Sequence, residues 1–157
     1  MKTVAKSDPP RKPEVFFVYN VSKQAFISLG VKAADTPLKR LRGLMGKWRL
    51  APNEGLWVVP SRGVHTFGLF FSIDLIYLDP EMRVVKVVED LGPFRFAPLR
   101  WKSDSVLELP ARAVYETGTE VGDQLLVCTQ EEMEAFWEQK RVEHPISPLP
   151  MKQAKAI

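Results

Sequence analysis

An acidic residue within an apolar segment is the first candidate for chemistry in this chain. Asp74 lies in residues 69–78, LFFSIDLIYL, where nearly every other side chain is apolar. The apolar run predicts a strand buried on both faces. A carboxylate there needs a charged or hydrogen-bonding partner, because an unpaired buried charge is very costly. We therefore expect Asp74 to belong to a buried polar site.

Arg42 is the candidate partner of Asp74. A helix predicted for residues 36–46 places Arg42 on the face expected to meet the core, which it shares with Leu38, Leu41 and Met45. A guanidinium group and a carboxylate pair well, often through two parallel hydrogen bonds. Two interpretations remain open. The pair is either an ion pair that docks the helix on the sheet, or part of a cleft that binds a ligand.

His65 and the neighbouring Thr66 begin the same segment and extend the candidate site. A histidine near Asp74 could act as a general acid or base. On a straight strand, however, nine positions would separate the two residues by about 30 Å and place them on opposite faces. Bringing them together requires a bend at Gly68. The simpler interpretation is a polar residue at the end of a strand.

A further candidate surface is the loop GPFRFAPLRW at residues 92–101. Proline flanks its aromatic and basic side chains, and such residues in loops are typical of binding surfaces. Arg95 and Trp101 are the residues that we expect to be exposed there.

Composition and charge exclude several classes of protein. The single cysteine, Cys128, excludes an internal disulfide, and two histidines are too few for a histidine-rich metal site, so we expect no metal and no cofactor. The net charge is +3, but the basic excess lies near the two ends of the chain, which makes nucleic-acid binding an unfavoured interpretation. No secretory signal or membrane-spanning run is visible, so we expect a cytoplasmic protein.

The pattern of apolar residues predicts a mainly β (α+β) fold. Short strands separated by turn signals indicate one compact domain of β-sandwich or barrel type over residues 14–141, with two or three short helices. The predicted strands are 15–20, 24–31, 55–60, one or two within 64–79, 83–91, 105–109 and 124–129. Residues 1–13 and 142–157 are rich in proline and lysine, and we expect both tails to be disordered.

The last helix, predicted for residues 129–141, begins with a capping box formed by Thr129 and Glu132. Met133, Phe136 and Trp137 then form an apolar stripe. The favoured interpretation is that this stripe packs on the chain's own sheet. The alternative is docking on a second copy of the chain or on a partner protein.

Four segments in order resemble the uncharacterised family known as domain of unknown function 192. They are RLRGLMGK at 40–47, HTFGLFFSIDLIYLD at 65–79, VVKVVEDLGPFRFAPL at 84–99 and VLELPARAVYETGTEVGD at 106–123. The resemblance covers about residues 23–127 and implies a compact, mainly β fold, with no catalytic residues established. Leu69, Phe70 and Ser72 depart from the family's usual pattern of methionine, a basic residue and proline. Arg112 stands where the family has glycine.

The sequence thus favours a non-catalytic domain that binds a small ligand or a peptide in a polar cleft near Arg42, His65 and Asp74. One alternative is a small hydrolase-like enzyme that uses His65 and Asp74 as acid and base. Another is a protein that docks on a partner through helix 129–141. The sequence does not identify the ligand.

Overall fold

The computed structural model describes residues 15–143, which form seven strands and three helices. In chain order these are β1 (Val15–Asn20), β2 (Ala25–Ala34), α1 (Pro37–Arg42), β3 (Glu54–Val58), β4 (Ile73–Leu78), β5 (Val84–Leu91), β6 (Ser105–Pro110), α2 (Ala113–Thr117), β7 (Leu125–Cys128) and α3 (Gln130–Glu143). The predicted tails lie outside the described residues, except that α3 continues two residues beyond its predicted end at 141.

The seven strands form a single curled sheet in the order β5-β4-β6-β3-β2-β1-β7. All neighbouring strands are antiparallel except β2 and β3, which are parallel and are connected through α1. The result is a half-barrel with helices, which confirms the predicted mainly β, barrel-like fold. Residues 64–72 were predicted as strand, but only His65 forms an isolated bridge there, to Phe96.

Apolar clusters cover both faces of the sheet, and strand β4 contributes to each. Ile76 and Leu78 belong to a cluster that α2 covers, whereas Ile73, Leu75 and Tyr77 belong to a cluster on the opposite face. None of the three helices of residues 15–143 contributes a buried residue to that second face; the loop residues Leu44, Leu69 and Ala97 pack against it instead. Loops that lie over a rigid sheet commonly carry binding residues.

Helix α1 does not meet the core, which corrects the predicted helical face. It contains no buried residue, and Leu38 and Leu41 are 75% and 64% exposed. The helix ends after six residues because Gly43 adopts a positive φ of 47°. Leu44, beyond that turn, is the residue that enters the core. Arg42 is therefore an exposed residue at a helix end.

Helix α3 packs on the edge of the sheet, as the favoured interpretation predicted. Its capping box forms: the amide of Thr129 donates to the Glu132 carboxylate at 2.8 Å. Met133 is buried in a cluster with Tyr19 and Cys128. Trp137 is half-buried, and its ring centroid lies 5.2 Å from that of Tyr19. Because Met133 is only 4% exposed, the predicted apolar stripe cannot dock on a partner as an intact surface.

None of the helices within residues 15–143 combines the length and the apolar character needed to cross a membrane.

Candidate functional site

Asp74 is fully buried, but its partners are backbone amides and not Arg42. The amides of Asp90 and Val114 donate to its two carboxylate oxygens, at 2.9 and 3.0 Å. Arg42 forms no side-chain hydrogen bond or ion pair with any residue in the range 15–143. The predicted Arg42–Asp74 pair is therefore wrong. Two hydrogen bonds from the backbone satisfy the buried carboxylate without a cation.

The contacts of Asp74 explain its place in the fold. Val114 lies in the first turn of α2, so the carboxylate satisfies an amide that has no partner within the helix. The preceding Arg112 cannot cap this helix with its side chain, and it adopts the left-handed conformation with φ of 76°. That conformation favours glycine, which is the residue that the resembled family has at this position.

Thr66 also has a structural environment. Its hydroxyl donates to the carbonyl of Gly92 at 2.7 Å and accepts from the amide of Arg95 at 2.9 Å. These two bonds hold the 92–95 loop against the segment that carries His65. Thr66 is fully buried, so its hydroxyl serves to position the loop.

A cavity of about 190 Å³ lies on the face of the sheet that loops cover. It is located between the end of α1, the 60–69 segment and strand β6. His65 and Arg42 both line it, together with Arg40, Leu44, Met45, Phe67, Leu69 and Glu108. Asp74 lies outside it and lines a separate, shallower depression with Glu89, Asp90, Arg112 and Tyr115. The structure thus brings Arg42 and His65 to one cavity and places Asp74 elsewhere.

The separation of His65 from Asp74 removes the predicted acid–base pair. Both oxygens of Asp74 are occupied by backbone amides, and its neighbours are α2 and β5. A general acid or base must reach the proton that it transfers, directly or through one water molecule. His65 and Asp74 line different depressions, so the structure does not bring together the acid–base pair that the hydrolase hypothesis requires.

Glu108 is the titratable residue at the floor of the cavity. It lies in strand β6, directly opposite Leu56 on the neighbouring strand β3 and directly opposite Leu75 on the other neighbour, β4. The side chain is only 4% exposed, and it has no hydrogen-bond or ion-pair partner within the described part of the chain. Burial raises its pKa to about 8, because the charged carboxylate is poorly solvated there.

The groups around the cavity combine a protonated acid with unpaired cations. With a pKa of about 8, the Glu108 carboxyl is mostly neutral at pH 7, so it can both donate and accept a hydrogen bond. Nδ1 of His65 is buried without a partner among residues 15–143. Exposed Arg42 and half-buried Arg40, which reaches the carbonyl of Val59 at 3.4 Å, add positive charge at the entrance. The partnerless Nδ1 of His65 requires an explanation, and a water molecule or a ligand in the cavity would supply one.

Sequence reasoning missed Glu108, although a signal was present. The residue stands between Leu107 and Leu109 in VLELP, an acid within an apolar strand. That is the same signal that identified Asp74. The two acids differ in the hydrogen-bond partners that the fold places beside them. The residues next to each acid in the sequence do not predict those partners.

Arg95 and Trp101 lie in the exposed loop that follows β5. Trp101 is 77% exposed, and the guanidinium of Arg62 lies 5.6 Å from its ring centroid. Arg95 is exposed as well. Neither lines the cavity, so the loop is a separate feature beside it.

Comparison with known proteins places the chain among uncharacterised proteins. Residues 18–127 match the family model of domain of unknown function 192, described as "Uncharacterized ACR". A UPF0127 protein from Thermococcus sibiricus is 33% identical over 114 residues, which cover 68% of this chain and 71% of the relative. A UPF0127 protein from Pyrococcus horikoshii is 31% identical, over 69% of this chain and 96% of the relative.

Two solved structures share the fold at low sequence identity. A protein of unknown function from Novosphingobium aromaticivorans has a TM-score of 0.63 and 19% identity, covering 80% of this chain and 98% of that one. A protein from Sinorhizobium meliloti, described there as a candidate transcription regulator, has a TM-score of 0.62 and 22% identity, covering 73% and 92%. These structures support the fold alone. The match over residues 18–127 and the 33% identity to the Thermococcus sibiricus protein show that this chain belongs to the family of domain of unknown function 192.

Proposed function

We propose that this protein is a non-catalytic binding domain whose ligand occupies the cavity above Glu108. The observation that supports this most strongly is the Glu108 carboxyl itself. It is buried, has no hydrogen-bond partner among residues 15–143 and lines an open space. A carboxyl group that borders open space and has no protein partner can hydrogen-bond to a ligand that enters that space.

The size and charge of the cavity define the class of ligand. A volume of about 190 Å³ is below the roughly 300–1,000 Å³ of typical drug-sized sites. The ligand would therefore be a small molecule or the single side chain of a peptide. Arg40 and Arg42 would contact a carboxylate or phosphate at the entrance. Glu108 and His65 would hydrogen-bond to a hydroxyl, amide or amine deeper in the cavity.

A thermal-shift screen with small hydroxy acids, amino acids and sugar phosphates tests the proposal. A ligand at 100 times its Kd stabilises the native state by about 2.7 kcal/mol and raises the Tm. We expect at least one compound to raise the Tm of the wild-type protein. Arg42→Gln and Glu108→Gln should each reduce that shift. Arg112→Gln is the matched control, because this exposed arginine lies on the other face of the sheet.

Two results would contradict the proposal. One is a screen in which no compound of these classes shifts the wild-type Tm. The other is a shift that Arg42→Gln and Glu108→Gln leave as large as in Arg112→Gln, since the compound would then bind outside the cavity.

A second candidate is acid–base catalysis by Glu108 and His65 in the same cavity. The specific observation in its favour is the pKa of Glu108, about 8, because titratable groups with shifted pKa values cluster at catalytic sites. Under this alternative, a compound found in the screen would be converted to a product. Its rate would follow a pH profile that Glu108→Gln abolishes. A compound that is bound but recovered unchanged supports binding alone.

A further inference from the structure

Five large aromatic side chains are exposed on loops beside the cavity. Their exposed fractions range from 39% for Phe67 to 83% for Trp48. We call this set the aromatic ridge; its members are Trp48, Phe67, Phe70, Phe94 and Phe96. Side chains of this size are rarely left together in water, and a contiguous exposed apolar patch marks a site of interaction.

The five rings contact one another and form one surface. Trp48 stacks on Phe70 with ring centroids 5.8 Å apart, and Phe70 lies 5.7 Å from Phe94. Phe67 connects Phe94, at 6.4 Å, to Phe96, at 4.8 Å. The ridge therefore crosses three segments, which we call the three loops: residues 40–50, which begin in the last turn of α1, residues 60–72 and residues 92–102.

These three loops carry positive charge only. They contain eight of the chain's 22 Lys and Arg residues and none of its 19 Asp and Glu residues. Lys47 forms an ion pair with Glu54 at 2.7 Å. The other seven basic residues form no ion pair with any residue in the range 15–143; they are Arg40, Arg42, Arg49, Arg62, Arg95, Arg100 and Lys102. These seven side chains are thus not neutralised by direct ion pairs within residues 15–143.

The kinds of residue point to a protein surface as the partner. Six of the chain's ten arginines lie in these loops, but only two of its twelve lysines. Aromatic residues, methionine and arginine are enriched in protein–protein interfaces, whereas lysine is depleted, and energetic hot spots are enriched in Trp and Arg. Exposed Met45 lies close to Gly68, between Phe67 and Phe70 in the chain, because a Cβ added at Gly68 would come within 3.3 Å of the Met45 side chain.

Single-stranded nucleic acid fits the ridge less well than a protein does. Bases stack on free ring faces placed one after another along a groove. Here Phe94 meets Phe67 and Phe70 edge to face, with interplanar angles of 81° and 78°. Rings packed edge to face form one continuous apolar surface. They do not leave a series of free ring faces on which successive bases could stack.

We propose that the aromatic ridge and its surrounding arginines bind an acidic segment of another protein. Large apolar side chains of the segment would pack on the ridge, and its Asp and Glu residues would pair with the arginines. Charge complementarity of this kind guides association and sets specificity. The inference goes beyond the proposed cavity function and does not require a ligand above Glu108.

Selection from a random peptide display library with the full-length protein as bait tests this inference. We expect the enriched peptides to carry acidic residues beside a large apolar residue. A synthetic peptide of the enriched sequence should bind the wild-type protein, and Phe96→Ala and Arg95→Glu should each weaken it about tenfold or more. Both residues are exposed, so the variants should keep the wild-type Tm.

A matched aromatic and arginine pair on α2 provides the control. The guanidinium of Arg112 lies 5.8 Å from the ring centroid of Tyr115, which is 72% exposed, outside the three loops. Tyr115→Ala and Arg112→Glu should leave the affinity for the peptide unchanged. Glu108→Gln should also leave it unchanged, which separates this inference from the cavity proposal.

Three outcomes would overturn the inference. The first is a selection without acidic enrichment. The second is binding that the control variants reduce as much as Phe96→Ala does. The third is that an oligothymidine, or vesicles of phosphatidylserine and phosphatidylcholine, bind more tightly than the peptide and lose that binding in Phe96→Ala. The ridge would then be a nucleic-acid or membrane surface.

Discussion

Asp74 and Glu108 lie in neighbouring central strands, yet their side chains occupy opposite faces of the sheet. In the antiparallel pairing of β4 and β6, Asp74 is opposite Leu109 and Leu75 is opposite Glu108. Side chains alternate along a strand, so a shift of one position sends the two acids to different environments. Asp74 contacts two backbone amides, whereas Glu108 lines the cavity without a partner.

Asp74 should contribute to stability through its two amide hydrogen bonds. Asp74→Ala removes the acceptor of the buried Val114 amide and of the Asp90 amide, and we expect it to lower the free energy of unfolding by roughly 2–5 kcal/mol. Asp74→Asn should cost less, because the amide oxygen can still accept one of the two bonds. Urea denaturation followed by circular dichroism measures both values. Arg42→Ala is the control and should change stability little, within about 0.5 kcal/mol; an equally large loss there would restore the ion-pair interpretation.

Glu108 should make stability decrease as the pH rises from about 5 to 8. Its pKa is about 8 in the folded protein, against an ordinary value of 4.5. Between pH 4.5 and pH 8 the folded chain holds a proton that the unfolded chain has released. Each increase of one pH unit in this range therefore lowers the free energy of unfolding. The total effect is on the order of a few kcal/mol. Glu108→Gln cannot titrate and should lack this component when both proteins are denatured in urea at pH 5, 7 and 9. If the free energy of unfolding changed with pH to the same extent in the wild-type protein and in Glu108→Gln, the pKa of Glu108 would not be raised by folding.

Met133 should anchor α3 on the sheet edge. Met133→Ala removes a buried side chain that packs with Tyr19 and Cys128, and substitutions of this kind cost roughly 2–5 kcal/mol. We expect a lower urea midpoint for Met133→Ala. Val142→Ala, on the same helix at a residue that is 75% exposed, should change little. If the two variants had the same midpoint, α3 would not pack on its own sheet in solution.

Cys128 should be unreactive in the folded protein. Burial, with a smaller effect of the Glu132 carboxylate, raises the pKa of its thiol from 9.0 to about 11. At pH 8 the thiolate fraction is then about 100-fold lower than for a thiol with the ordinary value. Because it is the chain's one cysteine, a colorimetric disulfide reagent reports on it alone. We expect slow reaction in buffer and rapid reaction in concentrated urea; rapid reaction under both conditions would contradict the burial of the thiol.

Much of the fold follows from local sequence. Alternating and continuous apolar runs predicted the mainly β, barrel-like fold, β1 at its observed bounds and the capping box of α3 at Thr129 and Glu132. These features depend on side-chain periodicity and on hydrogen bonds between residues close in the chain, so neighbouring residues encode them.

The arrangement of residues in the candidate site could not be predicted from the sequence, because it depends on tertiary structure. The sequence identified Asp74 as a buried acid, Arg42 as a functional candidate and His65 as a titratable residue, but it paired them wrongly. Whether a buried acid receives amide donors depends on the sheet register and on where α2 begins, which are long-range properties. Arg42 does not lie on a core-facing side of a long helix, as was predicted, because Gly43 ends α1 after six residues. The sequence alone thus indicated which residues are chemically unusual, and only the packing of β4, β6 and the loops decided that Glu108 and not Asp74 faces the cavity.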